Sequence, residues 1–212
     1  FANNRFLKRL LEKAMKPYGV MVYMSATITK EFSSWIKENR ISTYLIPSRF
    51  HRRPQVIPVF KRIKNQKTIS KILIQLLSQP RQTLVFVPTI DIGLKYKKML
   101  EVEGFDIDFV SSKEKYQRLI INRFRNKEIK MLLATTILER GVTFPDIDCV
   151  VLHSQHRVFT KETLIQISGR VGRMDNDDQG SVIFFHESIS NAMVAAKKEI
   201  YWMNKQNEMR PL

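Results

Sequence analysis

The sequence predicts an α/β fold, a parallel sheet with helices on both faces, preceded by a shorter helix–strand–helix segment. Three observations predict it. Short apolar runs recur at 83–87, 106–110, 131–134, 149–152 and 181–185, each of strand length. Stretches with apolar side chains at helical spacing separate them, long enough for right-handed crossovers between parallel strands. Hydrophobic residues make up 43% of the 212, enough to build a sizeable core.

In chain order, residues 5–15 place apolar side chains at helical spacing with basic residues between them, and Pro17 and Gly19 stop that helix. Residues 20–24 read as a short buried strand leading into Ser25, Ala26 and Thr27, and a helix over 30–39 carries Phe32, Trp35 and Ile36 on one face. Residues 47–66 read as a linker, punctuated by Pro47, Pro54 and Pro58 and made basic by seven Arg, Lys and His side chains, among them Arg52, Arg53 and Lys61. Helices are then predicted at 67–78, 90–102, 113–125, 161–171 and 189–203, with a short helical turn through Leu138. In such a sheet the functional loops gather at the carboxyl ends of the strands. There are no repeats and no low-complexity tracts.

Charge narrows the partners. The chain has 36 Lys and Arg against 20 Asp and Glu, a net +16. That excess favours a polyanion, nucleic acid first and an anionic membrane surface second; a merely soluble basic protein is the plain alternative. The lone Cys149 excludes an internal disulfide and a cysteine-rich zinc site, and fits a reducing compartment. His51, His153, His156 and His186 show no zinc-ligand spacing and read as structural or solvent-facing. No apolar run approaches the length of a membrane span, and there is no secretory signal. The chain begins at Phe1 rather than Met and reads as a fragment.

The stretch 166–173, Gln-Ile-Ser-Gly-Arg-Val-Gly-Arg, is the most informative. Were it helical, Arg170 and Arg173 would share one face, each beside a glycine, Gly169 or Gly172. Guanidinium forks suit phosphate oxygens, and glycine admits a close approach, so the stretch reads as an anion clamp. A solvated basic helix face is the alternative. A second stretch, 135–148, puts the hydroxyls of Thr135 and Thr136 after a strand, followed by Glu139, Arg140 and Gly141. Hydroxyls and free N–H groups there can hold phosphate, or the segment is an ordinary capped turn.

Taken in order, these residues resemble the superfamily-2 helicases, whose motor is a pair of RecA-like domains. Ser25-Ala26-Thr27 resembles motif III, residues 84–89 motif IV, 134–148 motif V and 166–173 motif VI. Within the superfamily, residues 48–54 (Ser-Arg-Phe-His-Arg-Arg-Pro), residues 136–144 and the tail Gly180–His186 are similar to the DNA-uptake helicases of bacterial competence. Ala134-Thr135-Thr136 and the Gln166-Ile167 opening depart from the Ala-Thr-Asp and His-Arg usual in DEAD-box RNA helicases.

The resemblance implies a stub of the first RecA-like domain at 1–46, a basic linker at 47–66 and the second RecA-like domain at 67–212. It implies ATP with Mg²⁺ as cofactor, held mainly by an N-terminal half expected upstream of Phe1. No phosphate-cradling Gly-x-x-x-x-Gly-Lys loop, acidic box or family zinc cysteines occur in the chain. Arg173 is implied as the arginine finger and Arg170 as its partner on the γ-phosphate, with Gln166 beside them, and Gly141, Thr143, Gly169 and Gly172 near the nucleotide. Thr143 stands where related motors place a ribose-contacting Asp. Thr89, Arg118, Thr135 and Thr136 are implied on a single-stranded DNA backbone, and Ser25 and Thr27 in coupling the two sites. Cytoplasmic location, at membrane-associated uptake machinery, is expected. A non-catalytic basic nucleic-acid-binding module, or a replication or repair helicase, are the alternatives.

Overall fold

The structure, a computed structural model, describes residues 5–24, 30–44, 46, 53–139, 142, 144–172 and 180–209. The chain divides into two units, Phe1–Ile46 and Pro47–Leu212.

The first unit holds α1 (Arg5–Ala14) and α2 (Lys30–Lys37). The strand expected at 20–24 is not formed: Val20, Val22 and Met24 are 87%, 76% and 90% exposed. The alternation of a strand is nevertheless present, because Tyr23 turns the other way and packs against Phe32 and Trp35, ring centroids 5.1 and 6.0 Å apart. What is missing is a neighbour. A strand exists only by hydrogen bonding to another, and none among the described residues pairs with this segment. Ser25 and Thr27 lie outside the described residues.

The second unit runs β1 (Val59–Arg62), α3 (Gln66–Leu77), β2 (Gln82–Phe86), α4 (Ile90–Val102), β3 (Asp108–Val110), α5 (Gln117–Arg125) and β4 (Met131–Ala134). A 3-10 turn (Thr136–Glu139), β5 (Ile147–Val151), α6 (Lys161–Ser168), β6 (Val182–His186) and α7 (Asn191–Met209) follow. The six strands are all parallel, in the order β1-β6-β5-β2-β4-β3. Period-two geometry sorts their side chains into two cores. Leu84, Phe86, Leu132, Cys149, Val151 and Phe184 face one side with Phe124, Ile167 and Met193; Val85, Leu133, Val150 and Phe185 face the other with Leu73, Tyr96 and Leu100. Asn65, Thr89 and Thr160 accept a backbone N–H at the starts of α3, α4 and α6, which fixes where those helices begin.

The segment expected as a linker corrects in part. Val59–Arg62 is a strand, β1, paired with β6 in register Phe60 to Phe184. Phe60 stacks on Phe184 at 5.8 Å and lies under the Lys197 ammonium. Just before it, Gln55 exchanges backbone bonds with the Asn204 side chain and donates through Nε2 to the Ile165 carbonyl. The proline and exposed basic residues that read as a tether are equally the marks of an edge strand, whose outer side must not invite pairing.

At the far edge α4 rests directly on β3. A Cβ at Gly93 would stand 2.2 Å from Phe109 Cε2, so glycine is what permits that approach. Arg123 of α5 bonds both Asp106 and Asp108, tying the helix to the same strand.

Candidate functional site

Three neighbouring strands, β2, β4 and β3, deliver the expected nucleic-acid residues to one end of the sheet. Val87 N–H, past the end of β2, donates to the Ala134 carbonyl at 2.8 Å, and Thr135 N–H, past β4, donates to Val110 at 3.2 Å. Thr89 therefore leaves β2, Thr135 and Thr136 leave β4, and Ser111 leaves β3 side by side. The Thr89 hydroxyl accepts from Ile92 N–H at 3.3 Å as the cap of α4; its own proton stays available to a ligand. Thr135 and Thr136 are half-buried, and the 3-10 turn is anchored by Leu138 in the core. Arg118 is exposed one residue inside α5. Gly141 and Thr143 lie outside the described residues, but Phe144 beside them is buried and meets Phe124 edge-on at 5.0 Å.

The stretch at 166–173 is built differently from expectation. Helix α6 ends at Ser168, not 171, with Gly169 as its cap, whose N–H makes the last α-type bond, to the Ile165 carbonyl. Arg170 follows in a turn, its N–H on the Ile167 carbonyl, and Gly172 takes the left-handed conformation at φ +67°. Both glycines thus lie past the last helical residue rather than inside the helix, and so does Arg170. Arg170 is 2% exposed, so a solvated basic face is ruled out for it as well. Gln166 is half-buried on α6, which packs against the 3-10 turn and so joins the two informative stretches. Arg173 lies outside the described residues.

One polar assembly escaped the sequence reading. The Tyr96 hydroxyl meets His153 Nε2 at 2.7 Å with the two rings stacked, and His153 Nδ1 faces the Glu187 carboxylate at 3.3 Å. With the imidazole proton on Nδ1, Nε2 accepts from the tyrosine. The chain joins α4 to the ends of β5 and β6, with His153 held at φ +52°. Its members are 57 residues apart on one side, so no local pattern could announce it. Burial, then the Glu187 charge, pushes Tyr96 up to about 12. A raised acid contributes stability that is complete below the ordinary value of 10 and is lost as pH rises through about 12. Wild type is expected to lose stability across that window more steeply than Tyr96→Phe, with one of six tyrosines lagging in a tyrosinate absorbance titration. Equal slopes and a single tyrosine population would contradict this. His186 shifts the other way: burial, then the Arg62 charge, lowers it from the ordinary imidazole value.

The family described as the helicase conserved C-terminal domain matches residues 64–175. The competence protein ComFA of Streptococcus pneumoniae is 34% identical over 97% of this chain and 50% of its own length. ComFA of Bacillus subtilis is 30% identical over 97% of this chain and 46% of its own. The chain thus spans about half the length of these relatives. Among solved structures, Saccharomyces cerevisiae Dbp5 bound to RNA and ADP BeF3 superposes with a TM-score of 0.66 at 18% identity, covering 95% of this chain and 54% of that one. The Escherichia coli DEAD-box protein SrmB, bound to the regulator RraA, gives 0.57 at 19% identity, covering 69% and 86%. These last two likenesses show a shared fold, the RecA-like sheet.

Proposed function

From a chain that belongs to the family of helicase conserved C-terminal domains, we propose the C-terminal half of an ATP-dependent superfamily-2 DNA helicase or translocase, one that drives single-stranded DNA uptake in competence. The observation that carries this is the likeness to two ComFA proteins along 97% of the chain, which reaches beyond the helicase domain into both units. The exposed alternate residues Val20, Val22 and Met24 suit a partner sheet supplied by a first RecA-like domain.

The residues fit a triphosphate in one respect and not in another. Gly172 stands in a left-handed turn, and Gln166 is half-buried on the adjoining helix. Arg170 is 2% exposed, so in this structure it does not present its fork to solvent. Arg173 is assigned the direct contact, its planar fork matched to charge that develops on a transferred phosphoryl group. ATP with Mg²⁺ supplies that phosphoryl group, held chiefly by the first domain. Thr89, Thr135, Thr136 and Arg118 contact phosphates of the strand without reading bases. Ser25 and Thr27 couple the two sites. The machinery served is membrane-associated, although among the described residues no helix is long and apolar enough to cross a membrane.

The test is a titration of the 212-residue chain with labelled single-stranded DNA. Binding should be independent of base sequence and fall steeply with salt as phosphates are neutralised and counterions released. The same chain should not turn over ATP, since it contains no phosphate-cradling Gly-Lys loop. Salt-indifferent binding, or DNA-stimulated hydrolysis by this chain alone, would overturn the reading.

A further inference from the structure

We propose that Tyr116 is a stacking platform for one base of the bound strand, with Lys113, Lys115 and Arg118 on the phosphates either side of it. This rests on the nucleic-acid reading and goes past it, because that reading invokes backbone contacts alone.

The loop after β3 carries the sequence Lys113-Glu114-Lys115-Tyr116-Gln117-Arg118. It leaves β3 at Val110, whose carbonyl accepts from Thr135 N–H, so it starts beside the threonines already placed on the strand. Its shape is set by its own bonds. Glu114 N–H donates to the Ser111 carbonyl, Tyr116 N–H to the Glu114 carboxylate at 2.9 Å, and the Gln117 side-chain amide to Ser111 at 2.8 Å. Tyr116 is thereby fixed at the first residue before α5, yet 67% exposed. A large ring that adds nothing to either core, held by a tied loop, invites an aromatic ligand.

Charge points to the same ligand. Several basic side chains elsewhere on this unit are taken up in ion pairs: Arg123 with Asp106 and Asp108, Lys97 with Glu101 and Asp108, Lys161 with Glu199. Lys113, Lys115 and Arg118 have no ionic partner among the described residues, and the one acid of the loop, Glu114, is engaged with backbone. Unpartnered cations flanking an exposed ring are the chemistry of single-stranded nucleic-acid binding, in which a base stacks and phosphates pair. A duplex, its bases already stacked on each other, offers no free face to the ring.

The experiment compares a labelled DNA single strand with the same strand bearing abasic positions throughout its centre, against the 212-residue chain and its Tyr116→Ala, Tyr116→Phe and Lys115→Ala variants. Wild type should bind the intact strand about tenfold tighter than the abasic one, the magnitude of one stacked base. Tyr116→Ala should bind both alike, at the abasic level, while Tyr116→Phe keeps the preference. Lys115→Ala should keep the preference but flatten the dependence of log affinity on log salt by about 0.7. Circular dichroism of Tyr116→Ala should match wild type, since the ring touches neither core. Salt-dependent binding that ignores both the abasic positions and Tyr116 would overturn the stacking alone. Absence of salt-dependent binding to either strand would overturn the nucleic-acid reading and the stacking together.

Discussion

Arg173→Ala, made in the longer protein of which this chain is proposed to be a part, is expected to lower DNA-stimulated ATP turnover by about 10³–10⁵-fold while leaving single-stranded DNA affinity nearly unchanged. A finger arginine meets the phosphoryl group mainly in the transition state, so its loss falls on kcat more than on nucleotide binding. That factor corresponds to roughly 4–7 kcal/mol of barrier. An arginine on a solvated surface, by comparison, changes stability by about 0.5 kcal/mol and leaves the rate alone. Arg173→Lys should fail too, because a point charge does not reproduce a planar fork. Arg170→Ala should also abolish turnover, but by a different route. At 2% exposure it lies inside the turn, so its removal should lower the melting temperature as well. Measuring turnover, DNA affinity and melting on the same variants separates the roles. Near-normal turnover in Arg173→Ala, or turnover and DNA affinity falling together, would assign this arginine to another ligand.

Phe124→Ala should destabilise the 212-residue chain by about 3–5 kcal/mol, a large part of the roughly 5–15 kcal/mol that holds a domain together. Phe124 is fully buried, and its ring meets Phe144 edge-on at 83°. Its carbonyl, together with that of Ile129, accepts from the buried Gln82 amide, so the turn between α5 and β4 hangs on the same place. An alanine there leaves a void that the parallel sheet above is too constrained to fill. It also frees Phe144, the buried neighbour in sequence of Thr143. Urea unfolding checks the magnitude, with Leu119→Ala as control: Leu119 is 61% exposed on the same helix and should cost no more than about 0.5 kcal/mol. Similar costs for the two variants would mean that Phe124 does not anchor this core.

Much of the second unit was legible in the sequence because buried parallel strands are nearly continuous apolar runs, and little else looks like them. Strands at 131–134 and 82–86, and helices over 90–102 and 161–168, fall within a few residues of the pattern. The threonines after β2 and β4 were readable for the same reason: once the strands are placed, the residues that follow them lie at the carboxyl end of the sheet. Strand β1 was hidden because an edge strand with proline before it and lysine and arginine in it has the composition of a tether. Residues 20–24 erred in the opposite sense, since an apolar run specifies a strand's faces but not whether a neighbour is there to bond it.

By itself the sequence determined the class of fold, the positions of its buried runs, and the excess positive charge that makes a polyanion the natural partner. Each is a property of local composition or period, carried by side chains whichever way the chain closes. Only the tertiary structure decided what the arginine stretch is made of. Helix α6 stops at Ser168, Gly172 turns the chain left-handed, and Arg170 between them goes into the interior instead of onto an exposed helical face. It also decided that Tyr96, His153 and Glu187 meet, and that the loop after β3 opens beside Thr135. Such placements depend on the order in which six strands lie in the sheet, and strand order is a matter of long-range packing that no window of sequence contains.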